Sequence, residues 1–314
     1  MHHRDFLVSG GHAVAAPRGL DEETPIQYPG GAAGVFPKKR RARIPFATES
    51  SDAERSLRRC RAAVDARSNT LSRCAYQEAF DAGHALGAVR VPVEEWDKAA
   101  KTADIGFNNT TFWDNALGSL GVDPSAVAVT YDGGQMTNAA RVWFILQYFG
   151  IRAVILNGGW PALSAAARLP AGAGPSKAMF HAVPGAGSVG LVDRETLKRQ
   201  LGADAHVFDT RTRAEFTGED TRNRSRSGHL PGARHLSHAD LLDNGVVRPA
   251  PVLRNMLEGA GFGPGDHIVT HCEGGGRAAL GAAAAVRAGF DDVRVYYLSF
   301  ADWVRDQSCP IVRD

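Results

Sequence analysis

The sequence has no apolar run approaching the roughly 20 residues that cross a bilayer, and no apolar stretch of a secretory signal near its start. Cysteine is scarce. The four present in 314 residues (Cys60, Cys74, Cys272, Cys309) are too few and too scattered for a disulfide framework. None stands in a CxxC spacing, so no metal site is expected, and the thiols read as free in a reducing, cytoplasmic compartment. Excess charge of one sign is missing too. The 36 Lys and Arg against 34 Asp and Glu leave a formal net charge of +2, which demands neither a nucleic-acid nor a membrane partner.

What is present is the balance of a globular protein, 44% hydrophobic and 22% charged, at a length that fits two ordinary domains. Residues 1–51 stand apart. They are rich in Gly, Ala, Pro and charge, carry the basic run Lys38-Lys39-Arg40-Arg41-Ala42-Arg43, and read as a disordered tail. Asp21-Glu22-Glu23 fits poorly with the acid-poor pattern of an organelle transit peptide, although targeting by the tail is the alternative.

The rest is organised by an internal repeat. Val64-Asp65-Ala66-Arg67 reads as the end of a buried strand and recurs as Val207-Phe208-Asp209-Thr210-Arg211, so that Asp65 and Asp209 lie 144 residues apart. Gly83-His84-Ala85-Leu86-Gly87-Ala88 recurs as Gly228-His229-Leu230-Pro231-Gly232-Ala233, offset 145. The β-rich runs Val127–Tyr131 and Ile268–His271 each lead into a glycine-rich turn, which places Asp132 and Cys272 at matching positions, offset 140. Asn157-Gly158-Gly159-Trp160-Pro161-Ala162-Leu163 answers Leu298-Ser299-Phe300-Ala301-Asp302-Trp303. Helical patterns at 138–149 and 277–288 follow the glycine-rich turns and lead to further β-rich runs at 153–156 and 293–298. The alternation predicts an α/β fold of two copies, each a mostly parallel sheet with helices on both faces. Domains are expected at 52–165 and 188–314, joined by an Ala, Gly and Pro-rich linker at 166–187. The first copy reads as the less regular one.

Cys272 directly follows a strand and Arg277 opens a helix, with Glu273-Gly274-Gly275-Gly276 between them. Ligands of open α/β sheets sit beyond the carboxyl ends of the strands. Glycines there allow several backbone N–H groups to converge, and at a helix N-terminus such a nest holds anions. That field favours a thiolate, the nucleophilic form of cysteine, and would stabilise the terminal sulfur of a persulfide. Cys60, Cys74 and Cys309 have no such surroundings and read as small hydrophobes or surface positions. His84 and His229 read as turn histidines, because both copies carry one and only one copy carries the cysteine.

The cysteine loop, the paired Asp-x-Arg and Gly-His-x-x-Gly-Ala landmarks and the Gly-Gly-Trp-Pro-Ala-Leu stretch resemble tandem-domain rhodanese sulfurtransferases, the thiosulfate and 3-mercaptopyruvate enzymes. The resemblance covers roughly residues 52–314. It implies two tandem rhodanese-like domains, the first catalytically inactive with Asp132 in the cysteine position, and the second catalytic through Cys272. It also implies a ping-pong cycle in a monomer that needs no cofactor. A small-molecule sulfur donor loads Cys272, and cyanide or a thiol such as glutathione or a thioredoxin-like protein unloads it. Related phosphatases and arsenate reductases have a longer loop between cysteine and arginine; the four residues here fit sulfur better than phosphate. A non-enzymatic docking or redox-sensing module is the other alternative.

Donor choice is read against the same family. Enzymes of the mercaptopyruvate type carry an Arg-Phe pair after the Asp-x-Arg landmark and a second Arg further on, which clamp a carboxylate. Here Glu215 precedes Phe216, Arg224 or Arg222 falls near the second position, and Glu273 adds negative charge beside the thiol, with Arg277 and the loop arginines Arg222, Arg224 and Arg226 as the cations available to offset it. Thiosulfate is therefore expected in preference to mercaptopyruvate. Arg222, Arg224 and Trp303 are the candidate substrate contacts, with a core aromatic shielding the sheet edge as the other reading of Trp303, and Asp209, Arg211 and His229 are the candidate structural supports.

Overall fold

The computed structural model describes residues 70–75, 77–85, 87–102, 106–122, 126–164 and 179–313. The expected tail, Cys60 and the Val64–Arg67 landmark lie outside the described residues. All described residues belong to one compact unit, Lys39–Asp314.

Eleven strands are described. Those of the first copy are β1 (Thr70–Cys74), β2 (Val89–Val91), β3 (Ala128–Tyr131) and β4 (Ala153–Ile155). The second copy supplies β5 (Gly190–Leu191), β6 (Ala205–Asp209), β7 (Arg234–His235), β8 (Leu242–Asp243), β9 (Val246–Val247), β10 (His267–His271) and β11 (Val293–Val295). They form a sheet ordered β2-β1-β3-β4, a sheet ordered β5-β11-β10-β6-β7 and a β8-β9 hairpin. Every pairing in the two larger sheets is parallel, and helices make the crossovers, as the alternating pattern predicts. Among the described residues the parallel sheet of the first copy has four strands and that of the second five.

Register corrects one landmark. His271 pairs with Asp209 on β6, and its counterpart Tyr131 pairs with Arg73 on β1. The strand matching Val207-Phe208-Asp209 is therefore Leu71-Ser72-Arg73, not the Val64–Arg67 segment, and the offset there is 136 rather than 144. The Asp-x-Arg signature is lost in this strand of the first copy. Arg73 is buried over the Trp160 ring, where the second copy has a carboxylate. Because Phe80 and Phe216 keep the offset of 136 while Gly83 and Gly228 are 145 apart, the second copy has nine extra residues between Phe216 and Gly228. Arg222, Arg224 and Arg226 all lie in that insertion.

The helix Thr137–Tyr148 of the first copy packs on the helix Gly276–Arg287 of the second. Ala278, Ala279 and Ala282–Ala285 are all fully buried, and their small side chains allow the close approach. One hydrophobic core runs through this contact from both copies. Tyr297 of the second copy stacks on Phe144 (6.0 Å between centroids) and meets Phe107 edge-on (5.0 Å), both of the first. Each such pair is worth about 0.5–1.5 kcal/mol beyond its buried area. From the segment read as a linker, the Val183 and Ala186 N–H groups donate to the Phe149 (3.3 Å) and Tyr148 (3.1 Å) carbonyls of the first copy, and just beyond it the Gln147 amide exchanges hydrogen bonds with the Val189 backbone at 2.9 and 3.1 Å.

Candidate active site

Cys272 stands at the carboxyl end of β10, where the strand gives way to the loop and then to the N-terminus of the helix Gly276–Arg287. Its Sγ accepts the backbone N–H groups of Gly274 (3.3 Å) and Gly275 (3.1 Å), and only 1% of the residue is exposed. Gly275 has a φ of +97°, and a Cβ there would lie 2.9 Å from the Tyr297 ring, so both conformation and space exclude any larger residue. Opposite, Ser299 takes a φ of +60°, strained for a residue with a side chain. Its hydroxyl accepts the Cys272 N–H at 3.1 Å, donates to the Tyr296 carbonyl at 2.8 Å and lies 3.8 Å from Sγ. Glycine 159 fills the matching place in the first copy.

The first copy shows what this kind of loop holds. The Asp132 carboxylate accepts four backbone N–H groups: Gly134 (2.9 Å) and Met136 (3.0 Å) on Oδ1, Asn138 and Ala139 (both 3.1 Å) on Oδ2. A fixed anion thus occupies the nest at the start of the helix Thr137–Tyr148. In the second copy the corresponding space faces a sulfur atom instead, at the positive end of a twelve-residue helix. Such donors stabilise negative charge on that sulfur and on an atom bonded beyond it.

Paired charges surround the loop. Arg277 donates to Glu215 through both terminal nitrogens, at 2.6 and 2.9 Å. Arg222 Nε lies 2.9 Å from the same carboxylate, and Thr212 caps it through N–H and hydroxyl, both at 2.9 Å. Burial opposes ionisation of Glu215, but the hydrogen bonds from Arg277 and Thr212 outweigh it and push its pKa down to about 2. Glu273 is ion-paired with Arg224. Its charge beside the thiol is therefore offset, and by Arg224, one of the arginines of the loop before Gly228-His229.

The rhodanese-like domain model matches this chain twice, over residues 50–166 and 193–306. The chain belongs to the rhodanese-like family. It is 32% identical over 207 residues to the thiosulfate sulfurtransferase of Azotobacter vinelandii, covering 63% of this chain and 74% of that protein. It is equally 32% identical, over 203 residues, to a probable 3-mercaptopyruvate sulfurtransferase of Pseudomonas aeruginosa, covering 62% and 70%. Among solved structures it is similar to the anaerobic ergothioneine biosynthesis enzyme from Chlorobium limicola, with a TM-score of 0.67 at 20% identity, over 78% of this chain and 64% of that one. The aligned part spans less than two thirds of the latter structure, and that likeness concerns the fold. Membership and curated relatives together place the chain among sulfurtransferase-like enzymes of the rhodanese type.

Within this rhodanese-like site the structure brings together Cys272, Glu273, Gly274, Gly275, Gly276, Arg277, Glu215, Arg222 and Arg224. Trp303 does not join them. It is fully buried in the second core with Leu197, Leu230 and Phe300, and its indole N–H donates to the Pro310 carbonyl at 2.9 Å. The expectation that it contacts substrate is corrected, because a five-residue helix turns this side chain onto the sheet. Asp209 and Arg211 form a buried ion pair behind the loop, with Arg211 stacked over Phe300 at 4.0 Å and donating to the Gly228 carbonyl at 2.8 Å. His229 stacks on Phe216 at 3.8 Å with Nδ1 at 3.0 Å from its carbonyl, and His84 repeats this on Phe80 at 4.0 Å and 2.8 Å. Burial raises the thiols of Cys74 and Cys309 above the ordinary cysteine value, with Asp132 and Asp306 respectively adding to it. Among the described residues no three His, Cys, Asp or Glu side chains are grouped to hold a metal ion, and no helix is long and apolar enough to cross a membrane.

Sequence reasoning missed Ser299 as a neighbour of the sulfur, and it missed Asp97, Lys101 and Arg141 of the first copy. Arg141 donates to the Gly274 carbonyl at 3.1 Å and is ion-paired with Asp97. Lys101 reaches Asp97 at 2.6 Å, and its Nζ would meet a Cβ on Gly274 at 2.9 Å. The available signal was a single cation in the otherwise uncharged helix Thr137–Tyr148.

Proposed function

We propose that the protein moves sulfane sulfur from a small anionic donor, with thiosulfate favoured, to cyanide or a thiol through a persulfide on Cys272. The observation that carries this reading is the position of Sγ under two backbone N–H groups at a helix N-terminus, in the place where the first copy holds a carboxylate. The Cys272 thiolate attacks the outer sulfur of thiosulfate, and the S–S bond breaks with its electron pair leaving on sulfite. The new Cys272 persulfide keeps one negative charge, facing the nest. Cyanide then attacks the outer sulfur, thiocyanate leaves and the thiolate returns. Both steps balance without an outside oxidant or reductant.

Thiosulfate is preferred over mercaptopyruvate because the arginines near the loop are engaged. Arg277 and Arg222 are held by Glu215, and Arg224 by Glu273, so a carboxylate donor would have to displace a resident carboxylate. Glutathione or a thioredoxin-like protein is the acceptor class proposed beside cyanide, with the protein working as a monomer. Free thiols among the described residues fit the cytoplasm, while one relative, 26% identical, is a mitochondrial sulfurtransferase of Arabidopsis thaliana. The test is thiocyanate production from thiosulfate and cyanide, which the wild type performs and Cys272→Ser does not. Turnover by the serine variant at the wild-type rate would overturn the reading, and so would arylphosphate hydrolysis in place of sulfur transfer.

A further inference from the structure

The loop around Cys272 takes one of its hydrogen bonds from the other copy. Arg141 is the single charged residue of the helix Thr137–Tyr148, and 13% of its side chain is exposed. Its Nη1 donates to the Gly274 carbonyl at 3.1 Å and to the Tyr297 hydroxyl at 2.7 Å, and it is ion-paired with Asp97. The fit is tight: a Cβ on Gly276 would meet Nη2 at 2.9 Å. The counterpart of Arg141 in the second copy is Gly281, so the repeat does not supply a reciprocal contact.

The Gly274 carbonyl and the Gly275 N–H belong to one planar trans peptide and therefore point in opposite directions. Anchoring the carbonyl on a guanidinium aims the N–H the other way, at Cys272 Sγ, which it reaches at 3.1 Å. A charged donor on the carbonyl also polarises the peptide and strengthens its N–H as a donor. We propose that Arg141 is a positioning residue for the sulfur carrier, acting through the single peptide 274–275, with Asp97 and Tyr297 fixing its guanidinium. This rests on the reading of Cys272 as the sulfur carrier. It gives the first copy a chemical part in a reaction whose reacting atoms all lie in the second.

Three measurements on the full chain test it. Arg141→Met should lower the rate of Cys272 alkylation by iodoacetamide, followed on the Cys272 peptide, on the order of tenfold; direct loss of an oxyanion donor costs more. It should lower kcat for thiosulfate to a similar extent while KM stays within about twofold, and Arg141→Lys, which keeps one charged donor, should recover part of both. Tyr297→Phe keeps the ring against Gly275, removes the hydroxyl that orients Arg141 and should shift both rates the same way by a smaller factor. If Arg141→Met does not fold, that variant decides the matter. Unchanged alkylation and kcat in a folded Arg141→Met, or an Arg141→Lys no better than Met, would overturn the proposal. Alkylation needs no sulfur donor. A wild type that takes no sulfur from thiosulfate would therefore refute the carrier reading separately, while the alkylation series still reports on Arg141.

Discussion

His271, the residue before Cys272, should make the protein lose stability at mildly acidic pH. The ring is fully buried, its Nε2 has no hydrogen-bond partner, and it lies 3.4 Å from Asp209 Oδ2. Burial drives its pKa down to about 4, with Asp209 opposing and Arg211 adding to the effect. The ordinary value in an unfolded chain is about 6.5. Between these two values the unfolded chain binds a proton that the folded protein refuses, so folding is favoured less as pH falls through that window. The full difference is about 3 kcal/mol, of which about 2 kcal/mol is lost by roughly pH 4.5. His271→Gln removes the titrating group and keeps a polar side chain. Urea unfolding of both proteins at about pH 7 and about pH 4.5 isolates the term, because Glu215 and the carboxylates away from His271 titrate alike in both, and Asp209, though buried, keeps Arg211, which holds its carboxyl low in either protein. The wild type should lose about 2 kcal/mol more than the variant. Equal losses would show that His271 is protonated in the folded state, and the account of the buried Asp209–Arg211–His271 cluster would be wrong.

Three further outcomes follow from the same geometry. Glu215→Gln releases the guanidinium of Arg277 from a charged partner; its kcat/KM for 3-mercaptopyruvate relative to thiosulfate should rise on the order of tenfold, about one charge-assisted hydrogen bond. The same substitution removes a carboxylate whose pKa lies near 2, so the stability that the wild type loses as pH falls from about 4.5 towards 2 should be smaller in the variant. Asp132→Ala leaves four backbone donors of the first nest without their acceptor, and should cost about 3 kcal/mol in urea unfolding, with Asp132→Asn losing less because one oxygen remains.

The α/β class, the two copies and the cysteine loop were legible because each rests on local signals: β-rich runs, glycine turns and a cysteine between strand and helix. The first β-strand was not. Val64–Arg67 matches the second copy by letters, but pairing register places Leu71-Ser72-Arg73 beside β3, and Arg73 has lost the aspartate that would have marked it. Trp303 could not be assigned to core or cleft, because direction along a short helix depends on the sheet it packs against. Which arginine meets which carboxylate was not legible either, since Arg224 pairs with Glu273 and Arg277 with Glu215 across dozens of residues. Arg141 stood out only as a lone cation in its helix, and its target was hidden for the same reason: it is a carbonyl 133 residues further along the chain.

The most direct test of the central claim is the intact mass of the protein after incubation with thiosulfate and removal of excess donor. The account predicts a gain of about 32 Da, one sulfur atom, that is absent in Cys272→Ser and disappears when cyanide is added, with thiocyanate released. An unchanged wild-type mass, or a gain that persists in Cys272→Ser, would contradict it.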